Sequence, residues 1–215
     1  GDFGEEQKKM QAFLKSPEWK RTTAQGWGVN RAETAEIFTA NQMYIRKFPD
    51  RAASLLGKLH CQHYGLPSFG KRLAAATREF VPFSGDPAGW FAQNGRFTDF
   101  SGKTIELPER TFATHTSGKY TAARVPLLDV IAEVLRQPDE VWLNNYDGKA
   151  FDCLNYIRFY RDKAINVVCR IENGKTLAVR TWFEIAIRPT TRSGGKIAPE
   201  KDPRLKYRRG LLVKK

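Results

Sequence analysis

Apolar residues follow two regimes along the chain. In the first they recur at three- and four-residue steps, which lines one face of a helix. Residues 5–15 bring Met10, Phe13 and Leu14 together, and residues 34–46 do the same for Ile37 and Phe38. Asp50, after Pro49, stands where an N-cap starts a helix bearing Leu55, Leu56 and Leu59. Ser68 stands likewise before a run from Leu73 to Glu79, since short side-chain oxygens satisfy the free N–H groups of a first turn. The period is lost over residues 80–109, a stretch rich in Gly, Pro and aromatics. It reads as ordered loop and domain junction, because that many aromatic rings are costly to leave in water.

The second regime begins with a predicted helix over residues 124–137, with Pro126 tolerated in its first turn. Leu127, Leu128, Ile131, Val134 and Leu135 form its apolar stripe, and Pro138 ends it. Strand-like runs follow at 141–144, 153–161, 164–171 and 177–187, then a basic loop over 188–206 and a last short strand at 210–214. The predicted fold class is α+β: a helical N-terminal region, then a helix packed on a small antiparallel sheet.

The Asn173-Gly174 turn sets a register. A two-residue loop would pair Glu172 with Lys175 and place Val167 beside Arg180. A three-residue loop pairs Glu172 with Thr176 and is preferred, because register follows the buried pattern. Ile165, Val167, Cys169 and Ile171 then share a face with Leu177, Val179, Thr181 and Phe183, ready to receive the helix. The opposite face carries Asn166, Arg170, Ala178, Arg180, Trp182 and Glu184, a polar, cationic surface with an aromatic on it that suits RNA.

Charge sharpens this picture. Lys plus Arg number 36 against 23 Asp plus Glu, a net charge of +13. Residues 1–110 carry 16 basic and 12 acidic residues, and residues 111–215 carry 20 and 11. The last 28 residues hold 10 and 2. A positive field gathered at one end attracts polyanions, nucleic acid foremost. No apolar run is long enough to span a membrane. The three cysteines, Cys61, Cys153 and Cys169, form no paired motif and read as buried thiols. The N-terminus, GDFGEEQKKM, shows neither a leader pattern nor an initiator Met, as expected of a piece of a longer protein. His60-Cys61-Gln62-His63 is too tightly spaced for a zinc finger, so no metal site is expected. Glu133 reads as a solvated helix position, and Asp139 with Glu140 as turn chemistry. No nucleophile elbow, P-loop or dinucleotide fingerprint is present.

Three segments together, RVPLLDVIAEVLRQPDEVW, VRTWFEI and KYRRGLLVKK, resemble the C-terminal nuclease domains of the barnase–EndoU–colicin–RelE superfamily, in particular the branch at the ends of phage head proteins and polymorphic bacterial toxins. The likeness covers about residues 111–215. It divides the chain into a helical region, 1–80, suited to delivery or entry; a junction, 81–110; and the nuclease-like domain, 111–215. The resemblance implies a helix on a small antiparallel sheet and a metal-independent ribonuclease without cofactor, with tRNA as the favoured target. It further implies a toxin delivered from its producer into the target-cell cytoplasm, and an acidic immunity protein as partner.

Metal-free RNA cleavage uses the 2′-hydroxyl as internal nucleophile and needs a base, an acid and cations for the charged phosphorane. His115 lies where the family pattern places a histidine, and is otherwise a loop residue of no consequence. Arg124 opens the predicted helix, where the helix dipole disfavours a cation; a phosphate-facing role explains it, and a surface ion pair is the alternative. Arg180 fits the sheet-face reading and Thr181 the family pattern, although the register points them to opposite sides. Tyr207 and Arg208 match the family's ending, as a stacking or proton-donating ring and a phosphate clamp. Arg170, Trp182, Lys206 and Arg209 are expected to add RNA binding. Two other classes use the same basic surface: a non-catalytic RNA-binding module, in which His115 is dispensable, and a phage structural protein.

Overall fold

A computed structural model of the chain describes residues 57–58, 60–62, 64–144, 152–172, 176–186, 193–195, 197, 202 and 204–215. The helices expected over 5–15 and 34–46, the Asp50 cap with its leucines, and the Asn173-Gly174 turn itself lie outside these residues.

Ser68 caps helix α1 (Phe69–Ala75), its hydroxyl accepting from the Lys71 N–H at 3.3 Å. The helix stops at Ala75 rather than Glu79. Residues 80–109, expected as loop, hold a helix and two strands: α2 (Pro87–Gln93), β1 (Arg96–Thr98) and β2 (Thr104–Glu106). Asp86 caps α2 and Pro87 takes its first turn, a start signal present in the sequence. Each strand buries a single residue, Phe97 or Ile105, so neither shows a period. The turn between them is built on Asp99. Its Oδ1 accepts from Ser101 and Lys103 N–H, and its Oδ2 accepts from the buried Tyr156 hydroxyl at 2.9 Å. Burial and the Asp99 carboxylate hold the Tyr156 proton far more tightly than in a free phenol.

The predicted 124–137 helix comes in pieces. After α3 (Glu109–His115) and a 3-10 turn (Gly118–Tyr120), α4 spans Thr121–Arg124; a second 3-10 turn (Val125–Leu127) carries Pro126; and α5 spans Leu128–Arg136. Proline has no N–H for an α-helical ladder and crowds the preceding carbonyl, so the chain tightens there. The apolar stripe of α5 is buried as expected. The later strands also match expectation within two residues: β3 (Glu140–Asn144), β4 (Cys153–Tyr160), β5 (Lys163–Glu172), β6 (Thr176–Ile185) and β7 (Leu211–Lys214).

The described strands form one sheet in the order β1-β2-β6-β5-β4-β3-β7. Every pairing is antiparallel except β2 with β6. Every residue of β4 is buried, because both faces of the sheet are covered. On one face, Leu154, Tyr156, Val167 and Val179 pack with α5, Trp90 of α2 and Phe112 of α3. On the other, Trp142, Ile157, Phe159 and Ile185 pack with Cys61, Phe69 and Leu73.

The three-residue register holds for the first half of the β5–β6 pair: Glu172 faces Thr176 and Cys169 faces Val179. A bulge then intervenes, so that Val168 faces Thr181 and Val167 faces Trp182. Arg180 is the extra residue. Beyond it the expected faces are exchanged. Trp182 turns into the helix-covered core and is fully buried, while Thr181 and Phe183 turn to the opposite face. The bulge lets Val179 and Trp182, three residues apart, reach the same core.

The second face is closed by charge as well as by apolar packing. Glu140, fully buried, takes two hydrogen bonds from Arg208 at 2.8 and 2.9 Å and one from Trp142 Nε1 at 3.0 Å, and Arg72 Nε lies 2.9 Å away. Asp139 receives both guanidinium nitrogens of Arg78, at 2.7 and 2.9 Å, and the Phe159 N–H. His60 Nδ1 accepts the Gly210 N–H at 2.7 Å. Gly210 has φ +96°, and a Cβ there would meet the Leu143 carbonyl at 2.3 Å, so only glycine fits. The three cysteines are free and buried, and burial pushes the Cys61 thiol up to about 11. Among the described residues no helix is long and apolar enough to cross a membrane.

Candidate active site

Strand β2 pairs with β6 only at Leu177 and Ala178. Beyond that point no described strand covers this edge of β6, and Arg124 covers it instead. Arg124 Nη1 donates to the Trp182 carbonyl and, at 2.9 Å, to Thr181 Oγ1. In return Trp182 Nε1 donates to the Arg124 carbonyl at 2.9 Å. The 3-10 turn after Arg124 thus places the residue at the end of a short helix, not at the opening of a long one, and the sequence-based dipole argument does not apply.

The guanidinium also lies 5.3 Å from the Phe183 ring and 5.8 Å from the Tyr120 ring, both within cation–π range. Among the described residues no carboxylate pairs with it. Burial lowers its pKa from the ordinary arginine value, and Tyr120 and Tyr207 oppose that shift; arginine stays charged regardless. Nη2 and Nε have no hydrogen-bond partner among the described residues. A half-buried cation with spare donors and no counter-charge is suited to a planar oxyanion such as phosphate.

His115 closes α3. Its ring lies 5.3 Å from Trp182 and 6.0 Å from Tyr120, so the Tyr120 ring neighbours both His115 and Arg124. His115 Nδ1 is 2.8 Å from the Thr111 carbonyl oxygen. A carbonyl only accepts, so Nδ1 carries a proton, and in the neutral ring the lone pair is then on Nε2. That is the tautomer a general base needs.

A cleft of about 530 Å³ opens beside Arg124, with Phe183, Tyr207, Phe80, Lys163 and Glu184 in its walls. Tyr207 lies on a 3-10 turn (Leu205–Tyr207), its ring 5.1 Å from Phe183, with Lys206 Nζ 4.9 Å from the ring centre. Thr181 gives its oxygen to Arg124, which leaves its own hydrogen to donate.

Of the residues picked out by sequence, the fold gathers His115, Arg124, Thr181 and Tyr207 here, with Lys206 at the margin. The others stand elsewhere. Arg180, the bulged residue, is exposed and 3.5 Å from Glu172. Arg170 pairs with Asp152 at 3.0 Å. Arg208 is fully buried on Glu140, which outweighs the burial opposing its charge and raises its pKa, so it serves as a structural cation and not a phosphate clamp. Arg209 is 5% exposed, and its carbonyl accepts from Asn144. Trp182, fully buried, supports His115 and Arg124 and presents no surface to a base. Tyr120 and Phe183 were not singled out by sequence. Tyr120 was within view, as the aromatic between His115 and Arg124. Phe183 was assigned to the core because the bulge was not visible.

Comparison with curated proteins and with solved structures gives no match. A family model described as phage-Barnase-EndoU-ColicinE5/D-RelE like nuclease2 matches residues 82–213. The match therefore begins in the stretch that supplies α2, β1 and β2, ahead of the segments that carry the resemblance, and it spans more than half of the chain. With an α+β fold of this kind, the chain belongs to that nuclease family.

Proposed function

We propose that this nuclease is a metal-independent endoribonuclease, with tRNA its favoured target, that acts as the toxin tip of a larger delivered protein. The observation that carries the reading is the placement of His115 and Arg124 around one edge of β6 that no described strand covers, where among the described residues His115 Nε2 takes no hydrogen bond and Arg124 has no carboxylate partner. Such a site holds its own base and its own cation. His115 Nε2 takes the proton of the 2′-hydroxyl, and the 2′-oxygen bonds to phosphorus. The bond from phosphorus to the 5′-oxygen then breaks, leaving a 2′,3′-cyclic phosphate. Tyr207, in the cleft wall, supplies the proton that the departing 5′-oxygen needs. Arg124 and the Thr181 hydroxyl hold the charge that builds on the phosphorane oxygens. DNA lacks the nucleophile. In the producing cell such a toxin has to be covered, and an acidic immunity protein steered onto the basic cleft does this.

The test is incubation of the protein and its His115→Ala variant with total bacterial RNA in EDTA. The parent is expected to give discrete cuts ending in cyclic phosphate, and the variant to cut slower by about 100-fold or more. Cutting that needs added magnesium would overturn metal independence. RNA bound but left intact by both folded proteins would point to a non-catalytic binding module.

A further inference from the structure

We infer that the cleft beside Arg124 is a nucleobase subsite flanking the cut, with Glu184 as the residue that selects the base. This deepens the RNA-cleaving reading above and rests on it for the position relative to the cut. The cleft volume, about 530 Å³, lies in the range of sites that enclose a small ligand. Phe80, Phe183 and Tyr207 are only partly buried there, so aromatic surface faces the opening next to the phosphate-seeking guanidinium. Bases stack on such rings.

Glu184 is the odd member of this wall, because a carboxylate repels a phosphate backbone. It is held in place, however. Lys163 Nζ donates to Glu184 Oε2 at 3.0 Å and lies 4.8 Å from the Phe80 ring. Glu184 Oε1 takes no hydrogen bond among the described residues. An ionised carboxylate can only accept. It therefore fits a base edge that offers N–H groups: the adjacent imino and amino groups of guanine, or the exocyclic amino group of adenine or cytosine. Uracil offers one imino N–H between two carbonyl oxygens, which the carboxylate repels. The subsite is expected to discriminate against uridine.

The experiment uses short RNAs in which the nucleotide on each side of the cut is varied through all four bases. At one of the two positions the parent is expected to cut uridine about tenfold slower than the best base, the discrimination that one well-made carboxylate contact gives. Glu184→Gln should collapse that ratio, because an amide both donates and accepts. A partly unfolded variant lowers all four rates together, so the ratio isolates base reading. Phe183→Ala should raise KM about tenfold for every base, by loss of a stacking surface. Absence of any base preference in the parent, or a bias against uridine that survives Glu184→Gln, would overturn the inference while leaving the ribonuclease reading intact. If the parent cuts no RNA, that reading falls, and calorimetry with the four nucleoside 3′-monophosphates then decides. Weaker binding of the uridine compound, equalised in Glu184→Gln, supports the subsite. No binding of any of the four overturns it.

Discussion

One nitrogen of Arg124 is tied to β6 by two hydrogen bonds, while the rest of its guanidinium lines the cleft with no carboxylate paired to it among the described residues. Lysine is a point charge on a flexible stem and cannot hold a strand edge and a phosphate together. Arg124→Lys is expected to lower kcat by about 100-fold, the scale of losing one preorganised donor set. The fold should lose only about 1 kcal/mol. Steady-state kinetics beside thermal melts would check this, and a lysine variant that turns over like the parent would sink the role. The residue types needed for this chemistry were legible in the chain, since His, Arg, Thr and Tyr are what a metal-free RNA cleavage requires. Which arginines serve was not. Arg208 sits in a run of basic residues with nothing nearby to mark it as buried, and its partner Glu140 is 68 positions away.

The turn from α5 into β3 is closed by a single carboxylate. Burial pushes the Asp139 pKa up, but the Arg78 guanidinium and the Phe159 N–H outweigh it and hold the carboxyl below the usual range. A depressed carboxylate stabilises the fold fully above its unfolded pKa of about 3.9, and that contribution is lost as pH falls through the folded value. Asp139→Asn should therefore cost about 1–2 kcal/mol at pH 7, discounted because Arg78 is 41% exposed. The gap to the parent should close in acid, which melts from pH 7 down to pH 2 would reveal. A gap independent of pH would place the effect in packing instead. Elements with several buried positions, such as α5, β4 and β5, were readable from their period. The short strands β1 and β2 bury one residue each and left no period to read. The bulge at Arg180 was hidden for a related reason: one extra residue reverses every face after it, and alternation alone does not say where the phase slips.

The family match starts at residue 82, yet the sheet is not closed without what lies before it. Phe69 and Cys61 cover Trp142, Ile157 and Phe159, and Arg72 and Arg78 meet Glu140 and Asp139. Deleting residues 1–80 would bare that apolar face and leave the buried Arg208–Glu140 pair open on one side. Stripping a buried charge cluster of a partner costs about 3–5 kcal/mol, a large share of a domain's stability. The shortened chain is expected to lose its cooperative melting transition, followed by circular dichroism, and one that melts like the parent would show that the first face suffices. The same scale gives the edge of β6 that no described strand covers a meaning apart from chemistry. An unpaired strand edge invites other chains to add to it, and proteins blunt such edges with charge. Here the blunting charge is Arg124 itself. On the chemistry proposed above, solubility and activity hang on one side chain: a lineage that disarmed the enzyme by discarding this arginine would inherit a chain prone to stick to its own copies.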